Sequence, residues 1–433
     1  MEKFINVSKA LLSFIEKSKN PYHAVKTIKD KLESEGFTYL SERKVWDIKG
    51  GKYYTVRNNS SIIAFTVPEN GFEGFNIVAA HNDTPAFKVK ELNSIKLEGN
   101  YTKLNTEGYG GIIMASWMDR PLGVAGRIIV KTEKGLKEML CDTEKEYCII
   151  PNLAIHMQRD INDGHKFNPQ VDMLPIIGDE NADLLSFLAS KYGVNKEDIV
   201  SHDLFLYPVE KGRIIGENGE FIGSARLDDL QCSFSAIEAL CTSRNGDRIN
   251  IAAIFDNEEV GSASKQGADG SFLTDVLERV FECLGIGFNK KSAILANSFM
   301  VSADNAHAVH PNFPAVTDQT NRNYINKGVV IKFNANQKYT TDGVSAAIFK
   351  SLCEKNGVPY QVFHNRSDMP GGATLGNKSV THISIKSVDI GAPQFSMHSA
   401  FETAGVKDTY YMIEAMKAFF NSSVNECDGE YTL

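Results

Sequence analysis

Apolar runs alternate with helical patterns along much of the chain, and several runs end on polar residues. The clearest run covers residues 249–255, and it leads directly into Asp-Asn-Glu-Glu-Val-Gly-Ser. A continuous apolar run of this length predicts a strand that is buried on both faces. Similar runs predict strands over residues 61–67 and 75–80, the second ending on His81. Because ligands of open α/β sheets bind at the carboxyl ends of the strands, the polar residues there become candidates for chemistry.

Helical patterns occupy both ends of the sequence. Residues 5–40 predict two helices, with Asn20 as the N-cap of the second helix and Pro21 at its first position. The last long helix is predicted near residues 408–421.

The middle of the chain interrupts this regular alternation. Its clearest strand is predicted at residues 127–130, and one helical patch is predicted near residues 183–191. We therefore expect a discontinuous α/β domain formed by residues 1–90 and 225–433, with an inserted, mainly β domain over residues 91–224. The length of 433 residues also favours two domains over one core.

Composition narrows the classes of function. The hydrophobic fraction of 42% and the charged fraction of 23% are typical of globular proteins. A net charge of -8 argues against nucleic acid as a partner, since phosphate binding needs a basic surface. No run approaches the roughly 18 apolar residues of a membrane span. The seven cysteines are scattered without a C-x-x-C pair, so we expect a reducing compartment and a cytoplasmic location.

Glu258 and Glu259 are the strongest candidates for catalysis. They follow a strand that is apolar throughout, which disfavours a solvent-exposed acidic turn. On an extended segment, neighbouring side chains point in opposite directions. We therefore predict that one carboxylate binds a metal and the other moves protons.

Two further pairs of residues have the types that metal sites require. His81 and Asp83 are two apart at a strand end and hence on the same side, so the carboxylate could hold the imidazole ring while the ring binds a metal. The alternative for this pair is ordinary hydrogen-bonded polar residues, which a lone His-x-Asp more often represents. Asp228 and Asp229 begin a helix after the insert, where one aspartate with two oxygens could bridge two ions. The alternative for this second pair is helix N-capping by an acidic residue.

Asp304, His307 and His398 complete the set of candidates. Each could also be an ordinary hydrogen-bonded residue, but together they add imidazole and carboxylate groups at strand ends, with no thiolate. That combination suits a catalytic zinc pair. Glycoside hydrolysis fits less well, because it needs two facing carboxyl groups. No G-x-S-x-G nucleophile elbow or phosphate-binding P-loop appears in the sequence.

At this level of detail the chain resembles the aspartyl aminopeptidase family of dinuclear zinc exopeptidases. The resemblance runs from NPYHAV near the start to the final helix. It is carried by AAHNDTPAFKVK, GYGGIIMASWMDRPLGVAGRIIV, PNLAIHMQRD, SARLDDLQCS, FDNEEVGSAS, SADNAHAVHPN, GVVIKFNANQKY and GAPQFSMHSAFE.

The resemblance implies a zinc-exopeptidase-like α/β/α catalytic domain and a role for each candidate residue. Glu258 would be the general base, and Asp228 would bridge two zinc ions, for which cobalt or manganese can substitute. The implied metal ligands are His81, Asp228, Glu259, Asp304 and His398. The residues implied to line the substrate site are His156, His307, Lys332 and Tyr339.

The resemblance predicts a metalloaminopeptidase that removes N-terminal residues from peptides, with acidic residues as one candidate preference. It also implies an inserted β domain used in assembly, and homo-oligomers such as a tetrahedral dodecamer built from dimers. Two alternatives stay open. One is a dinuclear-metal deacylase that acts on N-acyl amino acids, and the other is a non-catalytic assembly protein on the same scaffold.

Two of the implied substrate residues have competing interpretations. His156 is far in sequence from the strand ends, so it could be a buried histidine of the insert, a metal ligand, or a substrate contact supplied to a dimer partner. Lys332 lies among apolar residues of a predicted strand, where it could also be a snorkelling lysine at the end of the sheet.

Overall fold

The computed structural model describes residues 1–244 and 246–433. The chain forms two compact units. The first contains Met1–Asp83, Gly212–Met397 and Glu402–Leu433, and the second contains Thr84–Lys211 and His398–Phe401. The changeovers after positions 83 and 211 differ from the predicted boundaries after 90 and 224. The functional division into a catalytic and an assembly domain stays a prediction.

Helices and strands alternate in the first unit, whereas strands predominate in the second. The helices are α1 Glu2–Lys17, α2 Pro21–Ser34, α3 Pro169–Asp172, α4 Leu184–Tyr192, α5 Leu227–Thr242, α6 Phe272–Cys283, α7 Phe288–Ala296, α8 Gly343–Lys355, α9 Leu375–Ile383 and α10 Asp408–Phe420. The strands are β1 Thr38–Tyr39, β2 Gly51–Arg57, β3 Ser61–Val67, β4 Gly74–His81, β5 Ala86–Leu97, β6 Tyr101–Tyr109, β7 Leu122–Thr132, β8 Gly135–Asp142, β9 Ile176–Gly178, β10 Ile199–Pro208, β11 Arg213–Ile215, β12 Phe221–Ser224, β13 Arg248–Phe255, β14 Phe299–Ala303, β15 Ala306–His307, β16 Val329–Phe333, β17 Tyr360–His364, β18 Lys386–Gly391, β19 Pro393–Phe395, β20 Glu402–Gly405, β21 Asn425–Cys427 and β22 Glu430–Thr432.

A nine-stranded sheet forms the centre of the first unit, in the order β1-β2-β3-β13-β4-β14-β18-β16-β17. Strand β13 lies between β3 and β4, and every one of its residues is buried, as the apolar run predicted. It runs parallel to β4, and β4 runs parallel to β14. The register pairs Phe255 with His81, so the carboxyl ends of these strands lie side by side.

Helices cover both faces of this sheet, which confirms the predicted α/β/α arrangement. Side chains of α2, α5, α8 and α10 share one buried cluster with alternate strand residues such as Val78 and Ala252. Side chains of α6, α7 and α9 share the other cluster with the residues between them, such as Ile77 and Ala253. The predicted cap of α2 is also confirmed, because the Asn20 side chain accepts the backbone N–H groups of the first turn.

A second sheet of the first unit has the order β11-β12-β20-β19-β15. Strands β11 and β12 join this sheet through antiparallel pairing of β12 with β20. That pairing explains why the first unit resumes at Gly212, before the predicted boundary at 224.

The second unit is mainly β, as predicted for the insert. Its sheet has the order β8-β7-β10-β5-β6-β9, and its strand pairs are antiparallel. Across the residues that the structure describes, no helix is both long enough and apolar enough to cross a bilayer.

Candidate metal centre

His81 stands at the carboxyl end of β4 and is 1% exposed. Its Nδ1 lies 3.0 Å from the carbonyl oxygen of Asp83 and 3.4 Å from the carboxylate of the same residue. Its Nε2 lies 3.7 Å from Oδ1 of Asp228. The ring is therefore held through one nitrogen while the other faces the acidic group, which is the usual arrangement of a metal-binding histidine.

Asp83 also fixes the turn that carries the two glutamates. Its Oδ1 accepts the backbone N–H of Glu258, and its Oδ2 accepts that of Glu259, each at 3.1 Å. Asn257 and Gly261 have positive φ angles of 65° and 96° on either side of this turn.

The expectation that Glu258 and Glu259 lie on an extended segment is wrong. Strand β13 ends at Phe255, and the two glutamates lie in a 3₁₀ turn. One carboxylate oxygen from each glutamate and one nitrogen of His81 lie within 4.8 Å of one another. The two carboxylates therefore approach the same histidine, and their division of labour cannot be argued from opposite directions along a strand.

Asp228 and Asp229 lie in the first turn of α5, and both have non-helical backbone angles. The backbone N–H of Asp228 donates to Oε2 of Glu402 at 3.1 Å. The Oδ2 atom of Asp229 accepts the backbone N–H of His81 at 3.3 Å. The N-cap position of α5 is occupied by Arg226, and the two aspartates lie inside the first turn, so the N-capping interpretation is not supported for this pair.

Asp304 follows β14, and its backbone is held by Lys332 on β16. The ammonium of Lys332 donates to the carbonyl oxygen of Asp304 at 2.7 Å and lies 3.4 Å from its carboxylate. Lys332 is only 2% exposed, so the snorkelling interpretation, which requires a solvated ammonium, is not supported.

His81, Asp228 and Asp304 lie close together in the structure. One ligand atom from each of His81, Asp228 and Asp304 lies within 4.8 Å of the others. The three residues come from β4, the start of α5 and the end of β14. The sheet order brings the two strand ends together, because β4 and β14 are neighbours.

The carboxylates of this group are buried and close together, and both conditions disfavour their charged forms. Burial and the charges of Asp304, Asp83 and Asp228 together raise the pKa of Glu258 to about 8, against the opposing effect of His81. Burial and the charge of Asp228 also raise the pKa of Glu259 well above its usual range.

The pKa of His81 is raised as well. Burial opposes the charged imidazolium, but the hydrogen bond with Asp83 and the negative charges of Asp229 and Glu258 raise the pKa well above its ordinary value. A group of buried carboxylates and one imidazole therefore attracts positive charge. The donor set of imidazole nitrogen and carboxylate oxygen without thiolate fits a catalytic zinc site.

The residues predicted to line the substrate site lie in different surroundings. Tyr339 is 5% exposed, and its ring centroid lies 5.2 Å from the Lys332 ammonium. His307 is exposed on the short strand β15, and its ring lies 6.4 Å from that of Phe363.

His156 and His398 belong to the second unit. His156 lies in an exposed turn. His398 is half-buried with a φ of 68°, and its carbonyl oxygen accepts the backbone N–H of Ile113 at 3.2 Å. Their roles as metal ligands or substrate contacts stay predictions.

Sequence reasoning missed the buried residues that hold the ligands in place. Glu402 is 2% exposed and contacts the backbone of Asp228, and Asn305 is 3% exposed directly after Asp304. Asn305 and Glu402 lie in SADNAHAVHPN and GAPQFSMHSAFE, which carry the family resemblance, but no local pattern singles out either residue. The contact of Glu402 with Asp228 could not be predicted locally, because the two residues are 174 positions apart.

Comparisons with known proteins agree with this geometry. Residues 14–420 match the family model Peptidase_M18, described as aminopeptidase I zinc metalloprotease (M18). A probable M18 family aminopeptidase 2 of Clostridium novyi (strain NT) is 47% identical over 432 residues, covering 97% of this chain and 100% of the relative.

Solved structures give the same result. A chain in the cryo-EM structure of the Ape4 and Nbr1 complex superposes with a TM-score of 0.93 at 36% identity, covering 97% of this chain and 86% of that one. The S. cerevisiae mApe1 dodecamer gives a TM-score of 0.85 at 29% identity, covering 96% of this chain and 97% of that one. The chain therefore belongs to the M18 family of aminopeptidase I zinc metalloproteases, and it is a metalloaminopeptidase.

Proposed function

We propose that the centre holds two zinc ions per chain and that the protein uses them to remove N-terminal residues from peptides. The convergence of His81, Asp228 and Asp304 within 4.8 Å is the observation that carries this proposal. Cobalt and manganese are expected to substitute for zinc, since both accept the same nitrogen and oxygen ligands.

Asp228 is assigned as the bridging ligand, because one carboxylate can offer an oxygen to each of two ions. Its approach to both His81 and Asp304 supports this assignment. Glu259 and His398 are assigned as the remaining ligands from the resemblance to the family. Asp83 orients the His81 ring through Nδ1, leaving Nε2 for the metal.

Glu258 is assigned as the general base. When bound, zinc lowers the pKa of water and polarises the scissile carbonyl group. The Glu258 carboxylate then takes the proton of the attacking water and delivers it to the leaving amine. Without a cation, burial and neighbouring carboxylates raise the pKa of Glu258 to about 8. Positive charge beside it favours the ionised form that a base requires.

Acidic N-terminal residues are the preference that we propose for this enzyme. Lys332 and Tyr339 support it, because they place a buried ammonium and a phenol next to Asp304. His307, exposed on β15, is proposed as a further substrate contact.

We also propose that the chain forms homo-oligomers, with a tetrahedral dodecamer of dimers as the specific form. The dodecamer of the related mApe1 structure supports this assembly. The segment around His156 supports it too, because Leu153, Ile155 and Met157 are 53%, 48% and 76% exposed there. Large exposed apolar side chains clustered in one segment are typical of an interaction surface.

We propose a cytoplasmic location because of how the cysteines are distributed. Seven cysteines are scattered along the sequence without paired spacing, as expected in a reducing compartment.

The activity is tested with paired substrates that differ only at the amine. Purified, zinc-loaded protein should hydrolyse aspartyl and leucyl anilides that have a free amine, and it should not hydrolyse their N-acetyl forms. Preferential cleavage of the blocked substrates would support the deacylase alternative. No hydrolysis of either form by zinc-loaded protein would support the non-catalytic alternative.

The role of His156 is tested by mixing inactive subunits. We propose that His156 reaches the cleft of a dimer partner and donates a hydrogen bond to the developing oxyanion, a contribution of about 3 to 4 kcal/mol in other enzymes. Co-assembled His156→Ala and Glu258→Gln chains should then regain activity, because a chain with intact Glu258 can use the histidine of its neighbour. Absence of recovery in verified mixed particles would mean that His156 acts within its own chain or has no catalytic role.

A further inference from the structure

A buried network of side-chain hydrogen bonds connects the backbone segments of Asp228 and Asp304. Its central residue is Asn305, which directly follows Asp304 and is 3% exposed. The Nδ2 atom of Asn305 donates to the backbone carbonyl of Leu227 at 3.1 Å. Since Leu227 directly precedes Asp228, this contact ties the backbone beside one aspartate to the backbone beside the other.

A second chain of hydrogen bonds connects Asn305 to the backbone N–H of Asp228. Nδ2 of Asn305 donates to Oε1 of Gln394 at 2.8 Å, and Nε2 of Gln394 donates to Oε1 of Glu402 at 3.4 Å. Oε2 of Glu402 accepts the backbone N–H of Asp228 at 3.1 Å. Gln394 and Glu402 are 1% and 2% exposed, so water does not compete for these contacts.

The orientation of the Asn305 amide is determined by its neighbours. Nδ2 also contacts Oε1 of Gln231 at 3.1 Å, and Oδ1 accepts the thiol of Cys232 at 3.3 Å. Rotating the amide by 180° would turn its oxygen toward three acceptor oxygens. The network therefore permits one orientation of Asn305, and with it one placement of the start of α5 against the end of β14.

The network opposes the electrostatic repulsion between the carboxylates of the centre. A carboxylate oxygen of Asp228 and one of Asp304 lie within 4.8 Å of each other beside His81. Carboxylates in this position repel one another whenever the metal is absent. A network centred on a neutral amide can hold their backbones in place without adding a positive charge to that of Lys332, which already lies 3.4 Å from the carboxylate of Asp304.

We propose that Asn305 is a positioning residue that sets the spacing of Asp228 and Asp304 for metal binding. This proposal rests on the proposed function, in which these two aspartates are zinc ligands. In this proposal Asn305 acts through the two backbones that it connects and is not itself a metal ligand.

The test compares Asn305→Leu with a matched substitution at the opposite end of the sheet. Leucine is close to asparagine in size but donates no hydrogen bond. The matched control is Asn76→Leu, because Asn76 is 1% exposed and its amide donates to the carbonyls of Phe419 and Ser422. Asn76 precedes His81 by five residues on β4, roughly 16 Å at the usual rise of a strand.

Zinc affinity of the metal-stripped proteins is measured by competition with a chromophoric chelator, alongside thermal unfolding. Asn305→Leu should lower zinc affinity by about 10- to 100-fold, as residues that hold metal ligands usually do. Asn76→Leu should lower the unfolding temperature but keep the zinc affinity of the parent. Parental zinc affinity and parental kcat in folded Asn305→Leu would overturn the proposal.

A second variant covers the case in which Asn305→Leu does not fold. Gln394→Met removes one of the three acceptors and should lower zinc affinity less than Asn305→Leu would, and unchanged affinity in this variant would overturn the proposal. Failure of the proposed function is recognised separately, because the parent itself would then bind no zinc or hydrolyse no free-amine substrate.

Discussion

The two ends of strands β4 and β13 are equally buried but carry opposite chemistry. At the carboxyl end, His81 and Asp83 are 1% and 0% exposed, and at the amino end, Asn76 and Arg248 are 1% and 2% exposed. Nδ2 of Asn76 donates to two backbone carbonyls, and Nη2 of Arg248 donates to the carbonyl of Val424 and to Asn425. The Asn76 amide and Nη2 of Arg248 therefore donate to neutral acceptors.

The carboxyl end differs because its acidic groups face one another. Burial and like charges raise the pKa of Glu258 to about 8 and raise that of Glu259 well above its usual range. The comparison teaches that burial of a polar side chain alone does not mark a functional site. Buried carboxylates that repel each other beside an imidazole do mark one, since a bound cation relieves the repulsion.

The largest expected effect comes from removing the bridging ligand. Asp228→Ala should lose both zinc and hydrolysis, because two ions share this carboxylate in the proposed centre. Chelation of the parent should have the same effect, and zinc, cobalt or manganese should restore activity to the parent but not to the variant. Zinc content after dialysis and hydrolysis of a free-amine anilide are the two measurements.

Arg248→Met is the counterpart at the amino end. It should lower the free energy of unfolding by about 1 to 3 kcal/mol through lost buried hydrogen bonds. Zinc content and kcat should stay at the parental values. If Arg248→Met lost zinc as completely as Asp228→Ala, the difference between the two ends would not hold.

The pH dependence of zinc binding is the next largest effect. The pKa of His81 is raised well above its ordinary value, and that of Glu258 is raised to about 8, so the metal-free centre holds protons at neutral pH. Zinc needs the unprotonated imidazole, and its charge favours ionised carboxylates, so binding releases protons. Apparent zinc affinity should fall by about tenfold per pH unit for each proton released as pH falls from 8 to 6.

Competition titrations at pH 6, 7 and 8 measure this dependence directly. Calorimetry in two buffers with different ionisation enthalpies counts the protons released. An affinity that does not change with pH would mean that the centre is already unprotonated before the metal binds.

The smallest expected effect concerns substrate preference. Lys332→Met should reduce the ratio of aspartyl to leucyl hydrolysis by about tenfold or more, the usual effect of losing a charged hydrogen bond. Because the Lys332 ammonium also lies 3.4 Å from Asp304, zinc content has to be measured in the same samples. Equal rates of the parent on aspartyl, leucyl and lysyl substrates would contradict the acidic preference.

The sequence predicted the strands that carry residues of the centre, because such strands follow from local runs of apolar residues. The apolar runs located β3, β4 and β13, and the strand ends located His81, Glu258 and Asp304. The rest depends on contacts between distant segments. Glu258 and Glu259 adopt a 3₁₀ turn tied to Asp83, more than 170 residues earlier, and no local pattern encodes that contact.

The same limit applies to the network behind the aspartates. Asn305, Gln394 and Glu402 lie in two segments that carry the family resemblance, but no local pattern links the three residues to one another. Their common role is visible only when the strands and α5 are packed together.

The most direct test of the account is the zinc content of Glu258→Gln measured beside that of Glu259→Gln. The two glutamates are adjacent in one turn, so both substitutions disturb the fold to a similar degree. The account predicts that Glu258→Gln keeps parental zinc and loses about 10²- to 10⁴-fold in kcat, whereas Glu259→Gln loses zinc. Equal loss of zinc from both variants would contradict the assignment of Glu258 as the base and Glu259 as a ligand.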